Sequence, residues 1–432
     1  MTTGVRRALC VLAALAALST APAQAAAQGG EGAPSPDARA WVLVDASDGD
    51  RLAGRSISST HSIASTTKLM TAYLALRELP LERRIAAPDY QPISPAETLA
   101  NLAPGERVSV NDLLHALLLG SANDAAVTLA EGVSGSVPRF VREMNQAAAA
   151  LGLTDTHYEN PIGLDSARNH SSAGDLASLT IRLRRDPVFR QIVDTERAVL
   201  RTGDRVRQIT NRNALLLRFP WVSGVKTGHT LDAGYVLVGS GTRKGATLVS
   251  VVLGTASEAA RDAATLELLE YGFSLYRRET AVAAGETIAS PELRYQGETL
   301  PLAAEGDLRV SVRRGERVDT EVRAPSEVEG PIERGERLGK VTVTVDGRDA
   351  GEARLVAARG ADEATVLEQA RGRVPLAAIL IAIGVVAIAI GVVGARRAAR
   401  RGGRRDEERM RSEEERMRRR DQERVSEGAG ER

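Results

Sequence analysis

Residues 374–395 hold 22 positions without a charge, and Arg396, Arg397, Arg400, Arg401, Arg404 and Arg405 follow at once. No other feature constrains the fold as strongly. As a helix the run spans about 33 Å, enough to cross a bilayer. A buried soluble helix is the alternative, and the arginines beside it argue against one. The positive-inside rule puts the arginine-rich end in the cytoplasm, so the chain before the run is expected outside. Residues 396–432 mix Arg and Glu with almost no apolar side chains and read as a solvated helix or a disordered tail.

The other end agrees with that topology. Arg6 and Arg7 precede an apolar run over 8–18, and Ala23-Gln24-Ala25 fits a small-residue cleavage site, so residues 1–25 read as a secretory signal peptide. Cys10, the one cysteine, lies inside it. The mature chain then has no thiol, which excludes disulfides, cysteine catalysis and cysteine-held metals together. A net charge of +1 gives no sign of a nucleic-acid partner.

Between these ends, residues 26–35 read as a linker. Residues 36–278 read as one α/β (α+β) unit. Trp41-Val42-Leu43-Val44 and the turn at Ser47-Asp48-Gly49 predict a hairpin. Apolar spacing predicts helices over 65–79, 111–119 (with Gly120 as its cap), 140–151, 173–184 and 258–277, and a third helix beginning at Asp124. Strand patterns occupy 221–230, 235–240 and 246–254. Strands at both ends thus bracket a helical middle, which predicts one sheet carrying a helical insertion. Residues 279–357 alternate in short runs between Gly-rich turns and read as a small all-β domain, and 358–373 as a linker to the span at 374–395.

Three motifs carry chemistry. In Ser65-Thr66-Thr67-Lys68, positions i and i+3 share a helix face, so the amine can lie beside the hydroxyl and take its proton. Ser223-Gly224-Val225-Lys226 has the same spacing, but on a strand those positions point to opposite faces. Ser121-Ala122-Asn123 falls in the break between two helices, where a hydroxyl can relay a proton and an amide can hold a carbonyl; an ordinary helix cap is the bland reading. In Lys226-Thr227-Gly228-His229, lysine and threonine offer charge and a hydroxyl to a carboxylate, and Gly228 suggests close approach of a ligand. Each motif alone is weak. Their order, and their placement on helix, loop and strand, are specific. The chain has only four lysines, Lys68, Lys226, Lys244 and Lys340, and two of them fall in these motifs. Lysine can lose its proton in a protein; arginine cannot.

With these motifs the chain resembles the low-molecular-weight penicillin-binding proteins, the serine D-alanyl-D-alanine carboxypeptidases of the S11 peptidase family. The resemblance covers about residues 40–356. It includes Ser65-Thr-Thr-Lys-Leu-Met-Thr-Ala72, Pro104-Gly-Glu-Arg107, Leu117 through Ala126, Asn160-Pro161 with Gly163-Leu164-Asp165, Gly224 through Thr230, Gly234-Tyr235 and Gly339 through Gly347. It implies the penicillin-binding, serine β-lactamase-like transpeptidase fold: an antiparallel sheet with a helical subdomain, followed by the small β domain. It assigns Ser65 as nucleophile, Lys68 as base and Ser121 to the proton network. Asn123, Lys226, Thr227, Gly228 and His229 would bind substrate, with the Ser65 and His229 N–H groups as oxyanion hole; Arg212 is either a carboxylate ligand or a structural arginine. The implied substrates are peptidoglycan stem peptides ending in D-Ala-D-Ala, and β-lactams, with no cofactor and no metal. This sequence departs from the family pattern at Ile63 (for Pro), Ala122 (for Gly) and Ile162 (for His), and in ending with a span rather than an amphipathic anchor.

Other readings stay open on the residues. A serine β-lactamase needs an added activated water, for which Glu159 is the candidate, against an exposed loop glutamate. A D,D-endopeptidase on cross-links uses the same chemistry in a cleft that admits a second, longer peptide, and a non-catalytic penicillin or wall sensor would acylate without releasing product.

Overall fold

A computed structural model describes residues 32–373 and 376–427. The signal-peptide and most of the leader-linker expectations lie outside those residues, as do Val374 and Pro375 of the expected span. The chain separates into two compact units: Met1–Glu279 with Arg309–Arg317, and Thr280–Leu308 with Val318–Arg432.

The first unit is organised by a five-stranded antiparallel sheet. Strands β1 (Ala40–Asp45) and β2 (Arg51–Arg55) form the predicted hairpin. Strands β3 (Val222–Thr230), β4 (Gly234–Arg243) and β5 (Ala246–Thr255) complete it in the order β2-β1-β5-β4-β3. The first strand therefore pairs with the last, Ala40 opposite Leu253 and Asp45 opposite Leu248. β1 is buried on both faces, which explains its continuous rather than alternating apolar run. Ala40, Val42 and Val44 join the core beneath the helical insertion. Trp41 and Leu43 face the other way, onto a core with Leu268, Leu269 and Phe273.

The insertion supplies α1 (Lys68–Glu78), α2 (Val110–Leu118), α3 (Asn123–Ser134), α4 (Val137–Ala150) and α5 (Ala173–Arg184). α6 (Glu258–Ser274) covers the opposite face. Three expectations need correction. The first helix is split: Ala64–Thr67 form a 3-10 turn, and the α-helix begins at Lys68. Gly120 is not a left-handed cap; Ser121 takes that conformation, at φ 60°. Gly120 is needed for space, since a Cβ there would lie 3.0 Å from the Ala116 carbonyl and 3.2 Å from Ile209. α6 stops at Ser274 because Tyr276 turns inward to start strand Tyr276–Val282, where its phenol donates to the Asp45 carboxylate.

In the second unit, β6 (Thr287–Ala289), β7 (Leu302–Ala304), β8 (Val318–Arg323), β9 (Arg337–Val345) and β10 (Arg348–Ala357) form one antiparallel sheet ordered β6-β7-β10-β9-β8. The expected linker after it holds a helix, α7 (Val366–Arg373). The apolar run and much of the charged tail form a single 52-residue helix, α8 (Leu376–Glu427), so the described part of the tail takes the helical one of its two readings. Within α8, Leu380–Ala398 is long and apolar enough to cross a membrane, and its apolar side chains are exposed.

Candidate active site

Ser65 sits in the 3-10 turn, half-buried, one residue after Ala64, whose φ is 46°. Lys68, at the start of α1, is fully buried, and its Nζ donates to Ser65 Oγ at 2.9 Å and to the Ile162 carbonyl at 2.5 Å. Burial pulls its pKa down strongly. The Glu97 carboxylate opposes that, the Arg212 cation adds to it and Asp124 opposes it again, leaving the amine at about 7. Lys68 is thus poised between its two protonation states in the neutral range.

The turn is shaped from outside by residues 160–165. Asn160 Oδ1 accepts the N–H groups of Ile162, Gly163 and Leu164, and Thr71 Oγ1 donates to the Pro161 carbonyl at 2.7 Å. At Gly163, with φ +87°, a Cβ would fall 2.0 Å from the Ala64 carbonyl oxygen. Ile162 meets Lys68 through its backbone, so a non-histidine side chain there leaves the contact intact.

Ser121 lies between α2 and α3 and Asn123 is the first residue of α3, both buried. Ala122 has ordinary extended backbone, φ −66° and ψ 124°, so alanine fits without strain. Asn123 opens α3; its N–H donates to the Thr98 carbonyl at 2.8 Å and its Nδ2 to Glu97 Oε2 at 2.7 Å.

The other wall is β3. Lys226 is buried, and its Nζ donates to the Thr227 carbonyl at 2.9 Å. Burial pushes its pKa well down, and the nearby cations Lys68, Arg212 and Arg261 push the same way. Thr227 is buried beside it; His229 is exposed and its ring lies 4.0 Å from that of Tyr235. At Gly228 the chain's own turn comes close: a Cβ there would lie 2.9 Å from the Ser65 backbone nitrogen and 3.0 Å from Ala64 Cβ. The second Ser-x-x-Lys pair does not meet, since Ser223 Oγ is buried without a hydrogen-bond partner.

Arg212 is exposed between two anchored asparagines. Asn211 binds the Val193 and Thr195 carbonyls, and Asn213 the Gly224 carbonyl. Its guanidinium reaches Thr98 Oγ1 at 3.2 Å, and its charge is felt at both lysines. Glu159, the candidate for an activated water, is instead engaged by Ser166 and Arg168.

Glu97 was not anticipated from the sequence. It lies on a loop without regular periodicity, and nothing in Ser94-Pro95-Ala96-Glu97-Thr98 announces that its carboxylate folds back onto Asn123. The one signal is the Asn123 amide itself, which needs an acceptor if it is buried.

A family model described as D-alanyl-D-alanine carboxypeptidase, peptidase S11, matches residues 27–257, and one described as the C-terminal domain of penicillin-binding protein 5 matches residues 276–363. The D-alanyl-D-alanine carboxypeptidase DacD of Salmonella typhimurium is 33% identical over 356 residues, covering 78% of this chain and 90% of that one. DacA of Escherichia coli K12 is 31% identical over 344 residues, covering 75% and 84%. Penicillin-binding protein 5 from Haemophilus influenzae superposes with a TM-score of 0.54 at 30% identity, over 76% of this chain and 99% of that one.

Proposed function

The chain belongs to the peptidase S11 family of D-alanyl-D-alanine carboxypeptidases, and from that membership we propose how its residues remove the terminal D-Ala from a peptidoglycan stem peptide. It is a serine carboxypeptidase. The observation that carries the residue-level reading is the 2.9 Å contact between Ser65 Oγ and a buried Lys68 amine held at about 7.

Neutral Lys68 takes the Ser65 proton as Oγ attacks the carbonyl of the D-Ala-D-Ala bond. The N–H groups of Ser65 and His229 receive the developing oxyanion. The C–N bond breaks, the D-Ala amine leaves with a proton relayed through Ser121, and the peptide stays as an ester on Ser65. Water then attacks that ester, with Lys68 again accepting a proton, and frees the shortened peptide. Asn123 holds the substrate amide. Lys226, Thr227 and Arg212 bind the terminal carboxylate; burial disfavours the Lys226 charge until that anion arrives and stabilises it. Gly228 keeps the strand close to the turn. A β-lactam enters by the same attack, its ring opening onto Ser65.

We further propose the division used above: signal peptide to 25, linker to 35, catalytic domain 36–278, β domain 279–357, linker to 373, membrane span from 374 and charged tail from 396. The catalytic body then lies outside the membrane and the tail in the cytoplasm. The apolar window Leu380–Ala398 and the arginines after Ala395 support this orientation.

The test is incubation of the detergent-solubilised protein with a D-Ala-D-Ala pentapeptide and, separately, with penicillin. D-Ala release with slow penicillin turnover is expected. Rapid penicillin hydrolysis without peptide cleavage would favour a β-lactamase, and acylation without either product a sensor.

A further inference from the structure

The loop before Asn123 ends on a carboxylate that the reaction scheme above does not use. Glu97 Oε2 accepts the Asn123 amide at 2.7 Å and the Tyr90 phenol, and Oε1 accepts the N–H groups of Ile93 at 2.8 Å and Ser94 at 3.3 Å. Thr98, the next residue, gives its carbonyl to the Asn123 N–H and its hydroxyl to Arg212. One short loop thus touches both the amide and the cation that border the proposed cleft.

From this geometry we infer that Glu97 is a positioning residue for the acylation step: it fixes the Asn123 side chain and serves as the nearby anion that steadies Lys68 once it has taken the Ser65 proton. The inference rests on Ser65 and Lys68 acting as nucleophile and base.

Two effects follow from the contacts. Asn123 has its Nδ2 committed to Glu97, so its Oδ1 is left to accept from a substrate N–H. Lys68 has two hydrogen-bond acceptors, Ser65 Oγ and the Ile162 carbonyl, and neither is an anion. The charged groups facing it are Glu97 from the loop, Asp124 from α3, Arg212 from residues 211–213 and Lys226 from β3. Asp124 is committed elsewhere, to the N–H groups of Ala100, Leu102 and Ala125. Burial would push the Glu97 carboxyl up, but the bonds from Tyr90, Asn123, Ile93 and Ser94 outweigh it and keep the group ionised. The site therefore carries a standing negative charge that favours protonated Lys68, against the cation Arg212.

The test is the pH profile of labelling by a fluorescent penicillin on the detergent-solubilised full chain. Labelling requires neutral Lys68 and so rises with pH through its titration. Glu97→Gln keeps an oxygen for Asn123 but removes the charge; the acid limb should move to lower pH by about one unit, with a lower plateau from the weaker base. Glu97→Asp keeps the charge but shortens the reach; its acid limb should stay at the parent position while the plateau rate drops about tenfold. A Glu97→Gln limb at the parent pH overturns the electrostatic role, and a Glu97→Asp plateau equal to the parent's overturns the hold on Asn123. Failure of the parent itself to label removes the Ser65 and Lys68 assignment and this inference with it, whereas a labelled parent with unmoved variants removes only the inference.

Discussion

Arg207 and Lys68 are both cations taken out of water inside the same unit, 8% and 0% exposed. Around Arg207 every donor is met. Its Nε reaches the Ala100 carbonyl, Nη1 reaches Glu106 and the Arg205 carbonyl, and Nη2 reaches Glu106 and the Asn101 carbonyl. Burial would raise the Glu106 carboxyl, but Arg207 and the N–H groups of Ala103 and Asp204 hold it at about 2. Around Lys68 there are two neutral acceptors and a second buried lysine nearby. The first arrangement locks charge in place and keeps the loop at 100–106 folded. The second leaves charge unsettled, which suits the proton transfers proposed for Lys68.

The sharpest way to break this contrast is Lys68→Arg. If Lys68 were held as Arg207 is, an arginine should serve, because it keeps the charge. We expect labelling by a fluorescent penicillin to fall by ~10²–10⁴-fold, because arginine cannot give up its proton. Parent-like labelling of the folded variant, checked by circular dichroism, would remove Lys68 as the base.

The converse substitution, Arg207→Met, should act on stability. It strands the Glu106 carboxylate in the interior, at a cost of about 3–5 kcal/mol in urea titrations. The pH dependence sharpens the point. Glu106 titrates near 2 when folded, below its ordinary 4.5. Its contribution is therefore present above 4.5 and is lost as pH falls from there toward 2. That acid-side fall in melting temperature should shrink in Arg207→Met; an unchanged fall would mean that other carboxylates produce it.

A smaller effect is expected at Gly228, where geometry rather than charge is tested. Gly228→Ala puts a Cβ 2.9 Å from the Ser65 nitrogen and 2.8 Å from Val236. Displacement of the turn should slow penicillin labelling by about 10²-fold while the protein still folds. Labelling at the parent rate would show that the turn has slack.

The smallest effect belongs to an ion pair of a third kind. Arg139 and Glu143 meet at 3.3 Å on the surface of α4, 66% and 31% exposed. Arg139→Ala should change stability by about 0.5 kcal/mol or less. A larger loss in the same urea titration would weaken the claim that burial, and not pairing alone, separates these sites.

Much of this could be read from the sequence, for a physical reason in each case. The sheet with its helical insertion was visible because a hairpin near residue 41 and strand patterns over 221–230, 235–240 and 246–254 bracket a helical middle. Ser65 and Lys68 were visible because a spacing of three residues on a helical turn puts both on one face, and because the two further motifs follow in order. The split of the first helix was not visible, since Thr66 and Thr67 suit a 3-10 turn as well as an α-helix. Nor was the job of Gly228, which depends on a turn far away in the chain, or that of Glu97, which depends on how an irregular loop closes. Residues 406–427 look as compatible with disorder as with the helix they form, because their charges repeat without an apolar stripe.

The turn that carries Ser65 is wedged between Gly163 and Gly228, each too close to it for a Cβ. Neither glycine has been synthesised when Ser65 leaves the ribosome, and β1 must wait longer still for β5. The proposed reactive centre is therefore assembled from contacts of long sequence separation, the kind that form slowly. A chain stalled anywhere before residue 228 carries Ser65 and Lys68 without the β3 wall that packs against their turn. On the residue roles proposed above, the enzyme is inert until its catalytic unit is almost whole.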